Sequence, residues 1–369
     1  MSNKKVKIIT RHAINNYGSF LQSYATLLLF KEMGYEPEII DYISKNEKLF
    51  GNLISFANKR NYNFVKKMIY IMVKFPEELY KNIKFAKQRK KHLKLTKKYN
   101  SSEKMQGKFD DCILCSGSDQ LWGYMPNEEI DFTYYLNFSN ETNRLISLSS
   151  SFGRYDFSQE NIDLIKNHLD KYDFITVREE SAKKFLEGIN ISSTHVLDPT
   201  LLVDRSIYHE FAKQKANKGE YIVVYKLRHD NQLDELANVL AEKHNLKIKY
   251  ITNSIFFKNK NGKNYANKSV KKVLSLIRDS KFVVTDSFHA TVLSVIFSKN
   301  FFTHLPGKTN SRIVDFLDSL NLSNRYFSDI KDLNVELENV SYESVYKIID
   351  SYKEECIKNI KELLNNKIK

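Results

Sequence analysis

The amino-acid sequence predicts an α/β protein with two doubly wound parallel sheets, and three observations support this fold class. Short runs of β-branched and aromatic residues alternate with segments whose apolar residues recur at helical spacing. The alternation stops after Tyr42, resumes near Phe109 and begins a second series at Tyr221. The chain of 369 residues is also long for a single hydrophobic core. We therefore expect an N-terminal domain over 1–195, a C-terminal domain over 196–338, and a final helical segment over 339–369 that packs back on the first domain.

The first domain opens with a βαβ unit. Its helix carries Leu21, Ala25 and Leu28 on one face, and the strand before it ends in the polar loop 11–19. The predicted elements are strand Lys5–Thr10, helix Phe20–Met33, strands Glu38–Tyr42, Phe109–Cys115 and Arg144–Ser149, helix Asn161–Leu169 and strand Phe174–Arg178. The first loop holds a single glycine, which is no dinucleotide fingerprint, so we expect no Rossmann cofactor.

The second domain is expected to begin around 196–200, where Pro199 breaks regular structure. Its predicted elements are strand Tyr221–Leu227, helix Gln232–His244, strand Lys247–Thr252, helix Ser269–Arg278, strand Lys281–Thr285, a helix that holds His289 in its first turn, strand Phe301–His304 and helix Ser311–Leu320. This second series gives the chain two Rossmann-like sheets. A long amphipathic helix over Tyr342–Leu364 follows.

The segment over about 44–108 interrupts the alternation and is predicted to be a basic helical insertion. Between Lys45 and Lys104 it holds seventeen Lys or Arg residues against four Glu, which accounts for most of the net charge of +14. Apolar residues between Val65 and Val73 recur at helical spacing, and residues 85–94 are strongly basic. A basic amphipathic helix suits an anionic membrane surface. A solvated helical arm explains the same charge equally well.

The composition predicts a cytoplasmic protein with reduced cysteines. The N-terminal lysines precede too short an apolar run for a signal peptide, and no stretch approaches the ~18 apolar residues of a spanning helix. Cys112 and Cys115 have CxxC spacing but fall in a predicted strand, where they point to opposite faces. We interpret them as core thiols rather than as a metal or redox pair. If the basic insertion binds lipid, the expected location is the inner face of the cell membrane.

The stretch 281–305 carries the strongest functional signal. A short buried strand runs into Thr285-Asp286-Ser287, residues that cap a helix N-terminus, and His289 follows in the first turn. Open α/β sheets bind ligands at the carboxyl ends of their strands, where helix N-termini present unpaired N–H groups. We interpret Ser287 and His289 as anion-binding residues. A packed core histidine is the alternative.

Cationic side chains follow other predicted strand ends. Arg178 ends a strand, and we expect its guanidinium to point at the mouth of a cleft and bind a carboxylate or phosphate. A salt bridge to a neighbouring glutamate is the alternative. Arg228 follows another strand, and Lys308 and Arg312 lie around the start of the last helix of the second sheet. These three residues add positive charge to the same edge as His289.

Polar side chains follow two strands of the first domain. Asn16 lies in the first loop, and Ser118, Asp119 and Gln120 follow the strand over 109–115. Their hydroxyl, carboxylate and amide groups are suited to binding sugar hydroxyls. Trp122, the only tryptophan, is expected to stack on a sugar ring, with packing as the alternative.

These segments, in this order, resemble the bacterial polysaccharide pyruvyl transferase family. The resemblance rests on Asn16-Tyr17-Gly18-Ser19-Phe20-Leu21-Gln22, Gly117-Ser118-Asp119-Gln120-Leu121-Trp122, Ser151-Phe152-Gly153, Val177-Arg178-Glu179, Val196-Leu197-Asp198-Pro199-Thr200 and Thr285-Asp286-Ser287-Phe288-His289. Ala290 stands where the family usually has glycine. Two Rossmann-like domains that face each other across a cleft form the architecture of GT-B glycosyltransferases, so a GT-B-like fold is implied.

The resemblance implies an enzyme that transfers pyruvate from phosphoenolpyruvate to two hydroxyls of a sugar. The sugar belongs to a cell-surface polysaccharide or its lipid-linked precursor, and the products are a pyruvate ketal and phosphate. No metal or redox cofactor is implied. The implied donor-binding residues are Arg178, Arg228, Ser287, His289, Lys308 and Arg312, and the implied acceptor-binding residues are Asn16, Ser118, Asp119, Gln120 and Trp122. Within these sets, Arg178 clamps the donor, His289 is the acid and Asp119 is the candidate base.

Two other function classes fit parts of the sequence. A GT-B glycosyltransferase that uses a nucleotide sugar shares the architecture, but no residues clearly form its nucleotide site. A non-catalytic binder of nucleic acid or anionic surfaces would use the basic segment 45–104 and show a steep salt dependence. That function leaves the polar strand ends without a role, so we expect no nucleic-acid partner.

Overall fold

The computed structural model describes residues 4–44, 47–125, 128–213, 219–257, 261–305, 311–333 and 339–365. Contacts divide the chain into two compact units. The first runs through Val203 and includes the residues from Glu354 onward, and the second spans Asp204–Lys353. The first unit extends beyond residue 195 because the short helix Pro199–Leu202 packs against the helix that begins at Tyr17.

The first unit consists of nine strands and most of the helices that pack on them. In chain order its elements are β1 (Lys5–Ile9), α1 (Tyr17–Glu32), β2 (Glu36–Tyr42), α2 (Leu49–Lys59), α3 (Phe64–His92), β3 (Leu95–Tyr99), β4 (Ile113–Ser116), β5 (Asp119–Gln120), β6 (Arg144–Ser147), β7 (Ser150–Ser151), α4 (Gln159–Leu169), β8 (Thr176–Val177), α5 (Glu180–Gly188), β9 (Thr194–His195) and α6 (Pro199–Leu202). These strands and helices are counted over the described residues only.

The second unit alternates strands and helices throughout. Its elements are α7 (Ser206–Phe211), β10 (Tyr221–Lys226), α8 (Asn231–His244), β11 (Lys247–Thr252), β12 (Gly262–Asn264), α9 (Val270–Arg278), β13 (Phe282–Thr285), α10 (Phe288–Ile296), β14 (Asn300–His304), α11 (Ser311–Ser319), β15 (Tyr326–Phe327) and α12 (Tyr342–Asn365). The residues of α12 from Glu354 onward belong to the first unit, where Arg144 Nη1 donates to the carbonyl of Leu364 at 3.0 Å.

Both main sheets have the strand order of a Rossmann fold. The five-stranded sheet runs β3-β2-β1-β4-β6, the six-stranded sheet runs β12-β11-β10-β13-β14-β15, and every pairing is parallel. Strands β4, β10 and β13 are almost entirely buried, as parallel strands covered by helices on both faces must be. The predicted fold class, α/β with two Rossmann-like domains, is confirmed.

Two strands of the first sheet are interrupted near its carboxyl edge. Strand β4 ends at Ser116 and pairing resumes at Asp119, while β6 ends at Ser147 and pairing resumes at Ser150. Strands β5 and β7 then join β8 and β9 in a second parallel sheet. Asp119 and Ser149 have positive φ angles of 94° and 58°, so the backbone turns sharply at each interruption.

The basic insertion contains a helical hairpin and one strand. Helices α2 and α3 pack against each other, and α3 is continuous over 29 residues despite Pro76. Strand β3 then joins the edge of the sheet beside β2. Strand β3 was not predicted, because LTKKY lacks the apolar alternation of a central strand, and only one of its residues is buried.

The cysteines are buried in the first unit. Cys112, Cys115 and Cys356 are free thiols, and burial raises the pKa of Cys112 to about 11. Their interpretation as core thiols is therefore confirmed for the CxxC pair. Within the described ranges, no three His, Cys, Asp or Glu side chains gather as they would in a metal site. Among the same residues, none of the helices combines the length and apolarity needed to cross a bilayer.

Candidate active site

Six of the predicted site residues lie where the strand order of each sheet reverses. In the first unit the chain crosses from one side of β1 to the other, so the reversal falls between β1 and β4, and in the second unit it falls between β10 and β13. The loops that leave the carboxyl ends of such strand pairs form the usual ligand site of an open α/β sheet. The residues in these loops or the helix starts that follow them are Asn16, Ser118, Asp119, Arg228, Ser287 and His289.

Asn16 begins helix α1 instead of projecting freely from the loop. Its side-chain oxygen accepts hydrogen bonds from the backbone N–H groups of Gly18, at 2.7 Å, and Ser19, at 3.4 Å. This cap stabilises the helix start by about 1 kcal/mol. The side-chain amide nitrogen of Asn16 is not used by the cap, so it remains the part of the residue that can donate to an acceptor hydroxyl.

Asp119 is held in place by donors on both carboxylate oxygens. Ser19 Oγ donates to Oδ2 at 2.6 Å, and the Gln120 N–H donates to Oδ1 at 2.8 Å. The residue is buried and adopts a φ of 94°, which few non-glycine residues tolerate. Strain of this kind persists only where surrounding contacts enforce it, and it concentrates at functional sites.

Gln120 and Ser118 are fixed by different neighbours. The Gln120 side chain lies over Gly153, where an added Cβ would come within 2.1 Å of Gln120 Nε2. Gly153 also has a φ of 81°, so glycine is required there on both counts. Ser118 is buried, its carbonyl accepts from Thr10 Oγ1 at 2.8 Å, and its hydroxyl donates to Asp198 at 3.4 Å.

Arg178 lies in a buried carboxylate cluster, and its predicted position at a cleft mouth is wrong. Its side chain is 2% exposed, with Nη1 3.0 Å from Asp198 Oδ2 and Nη2 3.4 Å from Glu179 Oε1. Burial alone would lower the pKa of the guanidinium, but Glu179 and Asp198 outweigh it, so the pKa is raised. The alternative considered from sequence, a salt bridge to a neighbouring glutamate, is the one observed. A guanidinium in this position links the segments that follow β8 and β9 and does not contact solvent.

Trp122 is a core residue, so the prediction that it stacks on a sugar is wrong. Its side chain is fully buried, and its ring packs on Tyr135, Phe152 and Tyr172 with centroid distances of 5.4–5.9 Å. Its Nε1 donates to the carbonyl of Tyr134 at 3.4 Å. An aromatic ring without exposed surface has no face to offer a ligand.

Two charged residues after β1 were not singled out from the sequence. Arg11 Nε donates to Glu47 at 2.8 Å, and His12 Nε2 lies 3.1 Å from Asp41. The signal for both was their position directly after a strand. Nearby, a cavity of about 820 Å³ opens at the carboxyl end of β2, alongside β3 and α3. Its lining is Ala13, Asp41, Ile43, Glu47, Lys48, Leu49, Leu79, Asn82, Ile83, Ala86, Arg89, Lys90, Leu93, Leu95, Thr96 and Lys98.

In the second unit, Asp286 links the two strands at the reversal point. Its Oδ1 accepts from the Leu227 N–H at 2.8 Å, and its Oδ2 lies 3.6 Å from Arg228 Nε. Asp286 is buried, and this burial raises its pKa despite the nearby arginine. Arg228 is 57% exposed, so its guanidinium is accessible beside the start of α10.

His289 lies in the first turn of α10, as the sequence predicted. Ser287 caps that helix by accepting a 3.4 Å hydrogen bond from the Ala290 N–H, and His289 is half-buried with its ring edge-on to Phe288. The guanidinium of Arg312, at the start of α11, lies 5.9 Å from the centre of the same Phe288 ring. Imidazole and guanidinium thus flank one aromatic ring. Lys308 falls outside the described residues.

A buried ion pair beside these residues was not identified from the sequence. His304, the last residue of β14, hydrogen-bonds through Nδ1 to Asp230 and lies 3.2 Å from the carbonyl of Ser328 through Nε2. Burial opposes the charge on His304, but Asp230 outweighs it and raises the pKa of the imidazole. Lys226, at the end of β10, is likewise buried and donates to Asp234 at 2.7 Å. The carboxyl edge of the second sheet is therefore rich in charge.

Solved structures of similar length resemble the chain at low sequence identity. A UDP-N-acetylglucosamine 2-epimerase from Rickettsia bellii is 12% identical, with a TM-score of 0.49, and the match covers 97% of this chain and 98% of the epimerase. A UDP-GlcNAc 2-epimerase from Methanocaldococcus jannaschii is 12% identical, with a TM-score of 0.46, over 94% and 92% of the two chains. An E. coli heptosyltransferase, WaaC with ADP, is 11% identical, with a TM-score of 0.43, over 94% and 99%. No curated protein sequence matches the chain.

A family model provides the assignment. The model described as polysaccharide pyruvyl transferase matches residues 16–304, from the cap of α1 to the end of β14. This range includes both reversal points and the six segments on which the sequence resemblance rested. The chain therefore belongs to the polysaccharide pyruvyl transferase family.

Proposed function

We propose that this enzyme transfers pyruvate from phosphoenolpyruvate to two hydroxyls of one sugar and releases phosphate. The acceptor is a saccharide of a cell-surface polysaccharide or its lipid-linked precursor. Membership of the family supports a pyruvyl transferase. The donor, the ketal product and the roles of single residues are our inference.

One observation carries the proposal: the start of α10 lies at the reversal point of the second sheet and is surrounded by groups that bind anions. Backbone N–H groups of the first turn, the Ser287 hydroxyl and the His289 imidazole converge there, and Arg228 is exposed beside them. A helix N-terminus attracts anions through its dipole and its unpaired N–H groups. Phosphoenolpyruvate carries both a phosphate and a carboxylate, so it requires such a site.

We assign the donor to this edge of the second unit. The phosphate binds the N-terminus of α10 and the side chains of Ser287 and His289, and the carboxylate binds Arg312 or Arg228. Lys308, which lies outside the described residues, is assigned to the donor from the sequence alone, as a further positive charge. Arg178, which the sequence analysis placed on the donor, is instead a positioning residue, since both sides of its guanidinium are occupied by carboxylates.

The reaction needs one acid and one base. A proton added to the methylene carbon of phosphoenolpyruvate makes C2 electrophilic, and a sugar hydroxyl attacks C2 and loses its proton. The second hydroxyl then forms the other C–O bond as the bond from C2 to the phosphate oxygen breaks. Two hydroxyl protons leave the sugar, one proton enters the new methyl group and one balances the released phosphate. His289 serves as the acid.

The first unit supplies the acceptor side of the proposal. We assign Asn16, Gln120 and Ser118 to binding the acceptor sugar, and Asp119 to the role of candidate base. The fixed geometry of Asp119 supports this role, because two donors and a strained backbone hold its carboxylate in one orientation.

The test is mass spectrometry of candidate bacterial glycans after incubation with the enzyme and phosphoenolpyruvate. We expect at least one glycan to gain the mass of a pyruvate ketal and an equal amount of phosphate to appear. A thermal-shift panel run in parallel contains phosphoenolpyruvate and a set of nucleotide sugars. Stabilisation by a nucleotide sugar, with no response to phosphoenolpyruvate, would overturn the proposal in favour of a glycosyltransferase.

A further inference from the structure

We propose that the outward face of helix α3 docks the protein on an anionic lipid bilayer. This inference concerns a surface that the proposed chemistry does not use. Among the described residues, eleven of the sixteen large apolar side chains that are strongly exposed lie on α2 and α3. Isolated exposed apolar residues are ordinary on a protein surface, but a contiguous group marks an interaction site.

The exposed apolar residues of α3 form one stripe, here called the apolar stripe. It consists of Phe64, Val65, Met68, Ile69, Met72, Val73, Leu79, Tyr80 and Ile83. Met72 is 73% exposed and Ile83 is 61% exposed. At about 100° per residue these positions fall on one half of the helix circumference. The stripe is long enough to span several helical turns.

The apolar stripe lies on the side of α3 opposite the buried residues of the helix. The buried residues of α3 are Glu77, Lys81, Phe85 and Arg89. On the helical wheel they occupy the half opposite the stripe, and Arg89 is tied to the first loop through the carbonyl of Ala13 at 3.2 Å. The hydrophobic stripe therefore does not contribute to the core of this unit.

Basic residues flank the stripe, and this identifies the occupant. Helices α2 and α3 hold ten Lys or Arg residues against two Glu, and Lys66, Lys87, Lys90 and Lys91 are exposed. A protein partner would favour a stripe with a mixed-charge rim. An apolar face bordered by lysines matches a bilayer, where apolar side chains enter the acyl region and ammonium groups contact anionic headgroups.

A second consequence rests on the proposed function. Leu79 and Ile83 belong to the apolar stripe and also line the cavity of about 820 Å³. The same cavity is lined by Asp41 and Arg89, which offer polar contacts. A bilayer against α3 would therefore hold a lipid-linked saccharide with its chain in the membrane and its sugar next to the first loop.

The test is sedimentation of the full chain with vesicles of phosphatidylcholine alone and of phosphatidylcholine mixed with phosphatidylglycerol. We expect binding to the mixed vesicles. We expect at least a ~tenfold weaker partition for a variant with Met68, Ile69 and Met72 changed to Ser, because each side chain loses its transfer to an apolar phase. Changing Lys87, Lys90 and Lys91 to Gln should weaken binding to the mixed vesicles alone. A matched control changes Leu164 and Val239, which are exposed on α4 and α8, to Ser and should bind as the wild type does.

A fluorescence measurement keeps the test independent of folding defects. The sole tryptophan, Trp122, is buried, so the wild type provides the background signal. Brominated lipids should quench Met72→Trp beyond this background and leave Ile255→Trp at the background level. Equal partition of the serine variant and the wild type would overturn the proposal. The proposal would also be overturned if light scattering showed that the wild type is a dimer and the serine variant a monomer, while neither protein binds vesicles. Membrane binding without glycan modification would leave this inference standing and contradict only the proposed chemistry.

Discussion

Replacing Arg178 with methionine should destabilise the first unit, because it removes the cation from a buried carboxylate cluster. The guanidinium of Arg178 lies between Asp198 and Glu179, and all three side chains are at most 2% exposed. Breaking a buried ion pair by removal of one partner costs about 3–5 kcal/mol. Ser151 Oγ still donates to Glu179, and Thr200 Oγ1 still donates to Asp198. We therefore expect a loss of about 3 kcal/mol, at the lower end of that range.

Urea unfolding followed by tryptophan fluorescence is the appropriate assay. Trp122 is the only tryptophan and lies in the core of the first unit, so its emission reports on that unit. Arg178→Lys should recover part of the loss. Arg154→Met is the matched control, because Arg154 is 40% exposed and its ion pairs should contribute less than about 1 kcal/mol. A loss below about 1 kcal/mol for Arg178→Met would refute the assignment of Arg178 as a buried positioning residue.

Three further predictions follow from individual contacts. Gly153→Ala should lower the free energy of unfolding by about 1–3 kcal/mol and raise the KM for the acceptor, because the new Cβ meets the side chain of Gln120. Gly188→Ala is the control, because Gly188 lies in open space on α5, and this change should be neutral or stabilising in the same unfolding assay. His304→Gln should destabilise the protein most between about pH 4 and 6.5. The pKa of His304 is raised in the folded protein, so its stabilising contribution is lost as the pH rises through that pKa. The pKa of Asp230 is lowered, so its contribution is lost as the pH falls through that pKa. A pH-independent loss in urea unfolding would contradict a charged pair. Trp122→Phe should lower the free energy of unfolding, followed by circular dichroism, by about 1–3 kcal/mol and leave the acceptor KM unchanged. A raised KM without a loss of stability would instead support the predicted role of Trp122 in sugar binding.

The alternation of strands and helices was predictable because the apolar runs are strong and regularly spaced. Strands such as β10 and β13 are buried along their length, and buried strands have the continuous apolar pattern that a sequence reveals. Strand β3 was missed because an edge strand with two consecutive lysines has little apolar surface to bury. The two-residue strands β5, β7 and β9 are too short to produce a pattern.

The environment of a side chain was predictable only where local sequence determines it. Ser287 and His289 were placed correctly because a cap and the first helical turn are local features. Arg178 was misplaced because its main partner, Asp198, lies twenty residues further along the chain, and such a pairing exists only in the folded unit. The same holds for His304 and Asp230, which are separated by 74 positions.

Trp122 was misjudged for a different reason. Its position next to a polar loop favoured a ligand contact, but the aromatic residues that enclose it come from three other segments of the chain. Large aromatic side chains contribute most to stability when they are buried, so a packed position is the more frequent one. In contrast, the apolar stripe of α3 is visible in the sequence as helical spacing, and only the structure distinguishes its exposed face from the buried one.

The central claim is that a doubly anionic donor binds at the start of α10. Isothermal titration calorimetry with phosphoenolpyruvate tests it without knowledge of the acceptor. His289→Gln should weaken the affinity at least ~tenfold, which is about 1.4 kcal/mol of binding free energy. The control is His244→Gln, which changes the histidine at the C-terminal end of α8. The affinity of this variant for phosphoenolpyruvate should match that of the wild type. Unchanged affinity in His289→Gln, or an equal loss in both variants, would contradict the claim.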